Sequence, residues 1–426
     1  MAMALSRSIC LGASVLTGVM AQPVLAQDAG PTGRLLTLDT TYGLQASDNP
    51  DLDTDGNARF DATARFRLGM LTATEGQSFQ AALDGGLRLS AGADADTSDL
   101  VDPALSFAYE RQTRSAALEI DGNLRRSEVS SLSPLDLLLD EDLSDEDLED
   151  LLDGTVSDEA TRLTFSLGAS LETRRDHPFG VTYSLGVSGV RYSGDNNTFD
   201  DDTRLTGGID MRLDLTETIQ ATSNLRYVLR EDEENETRLN LAIGQRFATS
   251  RLGLRLGLTD QATGLRGDLA LTGAIDRPTG RLSGEIGVSL EEGGDPGLIG
   301  SARAAFDLSD VSAVTFDLSR RVTQIEDAND NPALRTVTAL SGTYAQQLTR
   351  SWQLGLDTRY VITRSDAAGE GDEDFGQIGA SLSRALTRDW ALTMGASHRF
   401  EKDDDGSDAS GTAVSLSLSR SFQQAF

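Results

Sequence analysis

Arginine recurs roughly once in each of a series of segments where every second residue is apolar and those between are polar. The set comprises Arg65, Arg67, Arg88, Arg125, Arg162, Arg212, Arg226, Arg246, Arg255, Arg266, Arg281 and Arg359, with Arg321, Arg335 and Arg399 in like settings. Carboxylates are mixed among them: Asp84, Asp121, Asp210, Asp268, Glu285 and Asp357, with Asp61, Glu119, Asp214 and Asp317 besides. A guanidinium stays charged at physiological pH and offers five N–H donors, so a set of them around one wet space would filter solutes by charge. The same residues could instead pair off and prop a wall. Neither reading supplies a nucleophile or a proton shuttle. For those tasks the chain holds one cysteine, Cys10, and two histidines, His177 and His398, distant from each other. No enzymatic activity is expected.

Two acidic segments carry other chemistry. Residues 128–160 hold thirteen acids and no base, interleaved with leucines. Ser133-Pro134 suits a helix start, Ser144 with Asp147 resembles a capping box, and Gly154 is a natural stop, so a partly helical loop is expected. Asp140, Asp142, Asp145, Asp147 and Asp150 are its candidates for narrowing a pore, and a solvated surface loop is the alternative. Asp51, Asp53 and Asp55, followed by Gly56, are spaced as at the start of a calcium loop. Ala62 stands where that loop would need a glutamate, so solvated acids are the simpler account. Calcium or another divalent cation there, bridging to lipopolysaccharide phosphates, is the one candidate ligand. No other cofactor is expected.

What positions the arginines is a period of two that runs from Arg34 to the last residue. Trp352, Leu354, Leu356, Tyr360 and Ile362 share one face, with Gln353, Gly355, Asp357 and Arg359 on the other. Leu252-Leu254-Leu256-Leu258 alternates with Gly253-Arg255-Gly257-Thr259 in the same way. Such alternation over nine to eleven residues marks strands with one apolar and one polar face. The connections alternate too. Short ones (Thr74–Gln77, Gln112–Ser115, Arg350–Ser351, Arg388–Asp389) trade places with longer acidic ones (47–57, 92–102, 128–160, 194–202, 403–408). That asymmetry marks a transmembrane barrel. About twenty strands are counted, or eighteen if a middle hairpin between Arg251 and Leu308 is misread; an even number puts both ends at the short-turn rim. Phe179, Trp352 and Trp390 follow short turns, and Tyr42, Tyr192 and Phe400 precede long loops, as two interfacial girdles would.

The chain opens with a basic start, an apolar run from Ser8 to Met20 and small residues before Gln27, so residues 1–26 read as a cleaved signal peptide. Cleavage would remove the one cysteine and leave a strongly acidic remainder, 27–426, in which Lys402 is the one lysine. Only 27–33 precede the first strand, too few for a plug. The whole-chain charge of −31 argues against nucleic acid as a partner.

The last strand carries Val414, Leu416, Leu418, Phe422 and the terminal Phe426 on one face, broken by Arg420 and Gln424. It resembles the C-terminal phenylalanine strand of bacterial outer-membrane proteins, which implies recognition by the barrel assembly machinery. By pattern, the chain after the signal resembles the β-barrel porins of proteobacteria. The position of loop 128–160, third from the N-terminus, resembles that of the constriction loop of general porins. These resemblances imply an all-β, up-and-down antiparallel barrel integral to the outer membrane, in contact with its lipid and lipopolysaccharide, that passes small hydrophilic solutes by diffusion. An exopolysaccharide export conduit and a sealed structural or adhesive barrel are the alternatives, and the oligomeric state is open.

Overall fold

The computed structural model describes residues 33–426 except 51, 53–55, 93–96, 129–160, 194–200, 232–234, 262–263, 292–295, 327–331, 366–371 and 404–407. The expected signal peptide, the acidic loop with its helix and constriction residues, and Asp51, Asp53 and Asp55 lie outside the described residues.

Every regular element described is a strand: β1 Gly33–Ser47, β2 Arg59–Thr74, β3 Gln77–Gly92, β4 Thr97–Leu100, β5 Ala104–Gln112, β6 Ala116–Glu128, β7 Thr161–Thr173, β8 Phe179–Ser193, β9 Asp202–Asp214, β10 Ile219–Arg230, β11 Glu236–Arg246, β12 Ser250–Gln261, β13 Gly264–Arg277, β14 Gly280–Glu291, β15 Gly297–Ser309, β16 Ser312–Glu326, β17 Pro332–Gln347, β18 Trp352–Ser365, β19 Glu373–Ala385, β20 Trp390–Asp403 and β21 Asp408–Ala425. β4 and β5 lie end to end along β3, paired with Leu87–Ser90 and with Gln77–Asp84 respectively. They make one wall strand, so the wall has twenty. Each wall strand pairs antiparallel with the next, and β1 pairs with β21 from Leu35↔Ala425 to Ser47↔Ala413, which closes the barrel. Closure leaves no sheet edge and satisfies the backbone within the wall, as lipid demands. None of the hairpins between Arg251 and Leu308 is missing, so eighteen is excluded.

β4 falls inside the stretch 92–102 that the sequence reads as one loop. Four residues are too few for alternation to show, and Pro103, with no N–H, separates β4 from β5.

The two faces of the wall differ as the period of two requires. Leu36, Leu38, Tyr42 and Leu44 of β1 and Leu252, Leu254, Leu256 and Leu258 of β12 are among many large apolar side chains left exposed. Nothing among the described residues covers them, so lipid must. On the opposite face Arg255 of β12 meets Glu285 of β14, and Arg65 of β2 meets Asp102 beyond β3. Side chains of alternate strands meet on the concave side, which makes the polar face the inner one.

All nine connections at one rim are short, from two residues (75–76) to five (174–178). Both described ends of the chain are at this rim, where the Phe426 N–H donates to the Arg34 carbonyl at 2.9 Å. Trp352, Trp390 and Phe179 begin strands here. Near the other rim Tyr42, Phe60 and Tyr227 are exposed on the outer face, and Tyr360 packs its ring 6.1 Å from that of Phe400. Tyr192, expected in this girdle, is not part of it. It pairs with the inward Arg162, because the alternation of β8 continues unbroken to its end and places even-numbered residues inside.

Candidate functional site

The functional space of such a barrel is its lumen, and the strands position each lumen side chain simply by parity. A cavity of about 960 Å³ follows the inner wall from the short turns at Asp310, Arg350 and Asp389 to Pro50 and Leu52 near the other rim. It is at the upper end of the roughly 300–1,000 Å³ of small-molecule pockets.

One side of this cavity is charged. Asp102 sits in the break between β4 and β5 with a left-handed φ of 39°. That turn brings its carboxylate 3.6 Å from Arg65 Nη2 and 3.8 Å from Arg125 Nη2, so one acid serves two arginines. Arg88 lines the cavity beside them. Arg59 holds Asp61 at 3.3 Å, and Asp61 accepts from the Ser90 hydroxyl at 2.5 Å. Across the β1–β21 seam, beside Asp39 of β1 and Arg399 and Glu401 of β20, the lining also carries small hydroxyls: Ser415, Ser417, Ser419 and Ser421 of β21, Thr393 and Ser397 of β20, and Thr41 of β1. These neutral residues, and Asp102 itself, are absent from the arginine-and-acid set read from the sequence. Strict alternation of serine with Val414, Leu416 and Leu418 is the signal that marks the stripe.

A second recess of about 370 Å³ is lined by Glu172, Thr182, Asp210, Arg212, Asn224, Asn240 and Arg255 among others. Here Asn224 Nδ2 donates to Asp210 at 2.6 Å, and Arg212 Nη2 donates to the carbonyls of Arg175 and His177 at 3.0 and 3.3 Å. Arg255 forks onto Glu285 with bonds of 3.0 and 3.2 Å.

All the arginines and acids named from the sequence fall on inner-face positions, but they are not gathered into one site. Arg65, Arg88 and Arg125 share the large cavity; Asp210, Arg212 and Arg255 share the recess. Arg67 pairs with Asp84 at 3.7 Å, Arg266 with Asp268 at 3.9 Å and Arg281 with Asp276 at 3.5 Å. Asp121 and Asp357 face glycines on the next strand, Gly168 and Gly379. Arg359 stands opposite Gln377. Among the described residues no carboxylate lies within 4.0 Å of Arg162, Arg226 or Arg246, and Arg162 is almost wholly buried. His177 lies in a short turn with Asp176 3.7 Å from its Nε2, and His398 is on the outer face, its Nδ1 3.2 Å from the Thr412 hydroxyl. The two histidines stand at different places, one in a turn and one on the outer wall. Among the described residues no group of three or more acids, histidines or cysteines is placed to hold a metal ion.

One feature of the pairing bears on what the lumen can do. Asp61 follows Arg59, Asp214 follows Arg212, and Asp268 follows Arg266 two residues later on the same strand. Other pairs join strands one or two places apart, as Arg303 with Asp317 and Arg255 with Glu285. These ion pairs run along the wall.

No family model and no curated protein matches this sequence. Solved structures do match in shape. The siderophore receptor PirA from Acinetobacter baumannii superposes with a TM-score of 0.51 at 9% identity, over 93% of this chain and 81% of that one. A mutant of the ferric enterobactin receptor PfeA from Pseudomonas aeruginosa gives 0.51 at 10% identity, over 92% and 81%. OccK5 (OpdH) from Pseudomonas aeruginosa gives 0.44 at 12% identity, over 92% and 98%. Identities this low speak to the fold, which is that of bacterial outer-membrane barrels.

Proposed function

We propose that the barrel is a channel through which small hydrophilic solutes diffuse passively across the outer membrane. The observation that carries this reading is the direction of the ion pairs. A network that sealed the barrel would run from wall to wall, whereas the ion pairs of Arg65, Arg67, Arg255 and Arg303 reach acids a few ångströms away along the same wall. Twenty wall strands also enclose more space than inward side chains alone can fill. The seryl and threonyl stripe offers donors and acceptors that any hydrated solute can use in passing, without the fixed charge that would hold it.

Purified protein in a planar bilayer tests it. Stepwise conductance in simple salt, partly blocked by small sugars or organic ions, is the expected result. Correctly folded barrel that gives no conductance would defeat the channel reading in favour of a sealed structural barrel.

A further inference from the structure

The sequences Leu348-Thr-Arg-Ser-Trp352 and Leu386-Thr-Arg-Asp-Trp390 form the same turn. Leu348 and Thr349 donate their N–H groups to the Trp352 carbonyl at 2.9 and 3.2 Å, and Leu386 and Thr387 donate theirs to Trp390 at 2.9 and 3.3 Å. In each, the threonine hydroxyl accepts from the tryptophan N–H, at 3.1 and 3.2 Å. The turn therefore fixes a tryptophan as the first residue of β18 and again of β20. Directly opposite each, on the next strand, stands an arginine: Arg384 faces Trp352 and Arg420 faces Trp390. Their guanidinium carbons lie 5.2 and 5.1 Å from the tryptophan ring centroids, and that of Arg420 lies 3.9 Å over Phe422 as well. These residues share the parity of the outward Leu356, Leu416 and Phe422, so the stacks face lipid.

A lipid-facing arginine is tolerated near a membrane interface and disfavoured at mid-bilayer. Both arginines are within a few residues of the short-turn rim, as an interfacial position requires. Among the described residues neither has a carboxylate within 4.0 Å, and the same holds for Arg350 and Arg388 in the turns. Stacking occupies the flat faces of a guanidinium and leaves the N–H donors on its edge, the geometry that grips a phosphate by two oxygens. We infer that the outer face of β18–β21 at the short-turn rim is a binding site for the phosphate of an anionic phospholipid headgroup, with Arg384 and Arg420 as the grips and the tryptophans as the platforms. This rests on the barrel being membrane-inserted, but not on its conducting.

Trp352 and Trp390 are the two tryptophans of the chain, so fluorescence excited selectively at tryptophan reports on this site alone. The test uses heat-modifiable barrel in phosphatidylcholine nanodiscs doped with equal small fractions of either brominated phosphatidylglycerol or brominated phosphatidylcholine. Brominated phosphatidylglycerol should quench at least about twofold more strongly, in keeping with the attraction of interfacial arginine for anionic lipid. The Arg384→Gln/Arg420→Gln variant should lose that preference while still being quenched. Equal quenching of the wild-type protein by the two lipids would overturn the proposal, whatever the variant does. Quenching by neither lipid would remove the tryptophans from the membrane and overturn it too. A wild-type barrel that shows the preference but carries no current would leave this site standing and sink the channel reading.

Discussion

Asp102 holds a left-handed backbone angle that few residues with side chains adopt, φ 39°, and does so between two arginines. Such a conformation costs on the order of 1–3 kcal/mol unless the surroundings impose it. Here Arg65 and Arg125 hold the carboxylate between them. Replacing Asp102 by Asn keeps the turn and removes the charge. The anion-to-cation permeability ratio should then rise by up to about fivefold, the range of a part-exposed charge pair, as read from reversal potentials in a salt gradient. An unchanged ratio would place Asp102 away from the ion path. Parity is testable at the same scale, since Cys10 is the one native cysteine. Arg226→Cys should react with a membrane-impermeant maleimide in reconstituted barrel, while Leu225→Cys, exposed at 41% on the outer face, should be shielded by lipid. The reverse pattern would turn the barrel inside out. The inward position of these arginines was legible in the sequence, because parity depends only on counting. Which acid each arginine meets was not. Asp102 looked like the end of a loop, and Arg420 looked like a flaw in an apolar face until the ring of Trp390 came to lie beside it.

At the scale of elements, the long strands were readable because lipid on one side and water on the other impose opposite demands on successive residues. β4 had too few residues to show this, and Tyr192 was misjudged from its type when its number should have decided. Aromatic rings on the outer face also settle over glycines of the paired strand, Phe107 over Gly122 and Phe400 over Gly376. A methyl group at Gly376 would meet the Phe400 ring. Gly376→Ala should therefore lower the urea midpoint of unfolding by the equivalent of about 1–3 kcal/mol, the usual cost of overpacking, and a midpoint at or above that of the parent would argue against the contact. Loop 128–160 lies outside the described residues, and its part in the channel is a matter for deletion. Removing Ser133 to Gly154 takes out acids and no base. If the loop narrows the lumen, conductance should rise and selectivity move toward anions; unchanged values would make it a surface loop.

For the molecule as a whole, both described ends of the chain meet at the short-turn rim, so the proposed insertion has that rim in the periplasm. An epitope inserted at Asp404 should be reached by antibody on intact cells and one at Ser351 should not; labelling at Ser351 would invert the barrel. Phe426 ties the end of the chain to Arg34 across the seam. Its deletion should reduce the heat-modifiable form, and normal levels would deny it a part in assembly. The seam has a further consequence, for the order of folding and for descent. Every other strand pairing joins neighbours in sequence, so each can form as a hairpin with a small loop-closure cost. Only β1 with β21 must wait for the whole chain. Because that closure cost grows only logarithmically with length, a gene that gained or lost one hairpin between them would meet nearly the same final step. Barrels of this kind can thus change girth two strands at a time while the seam, and the residues that close it, stay as they are.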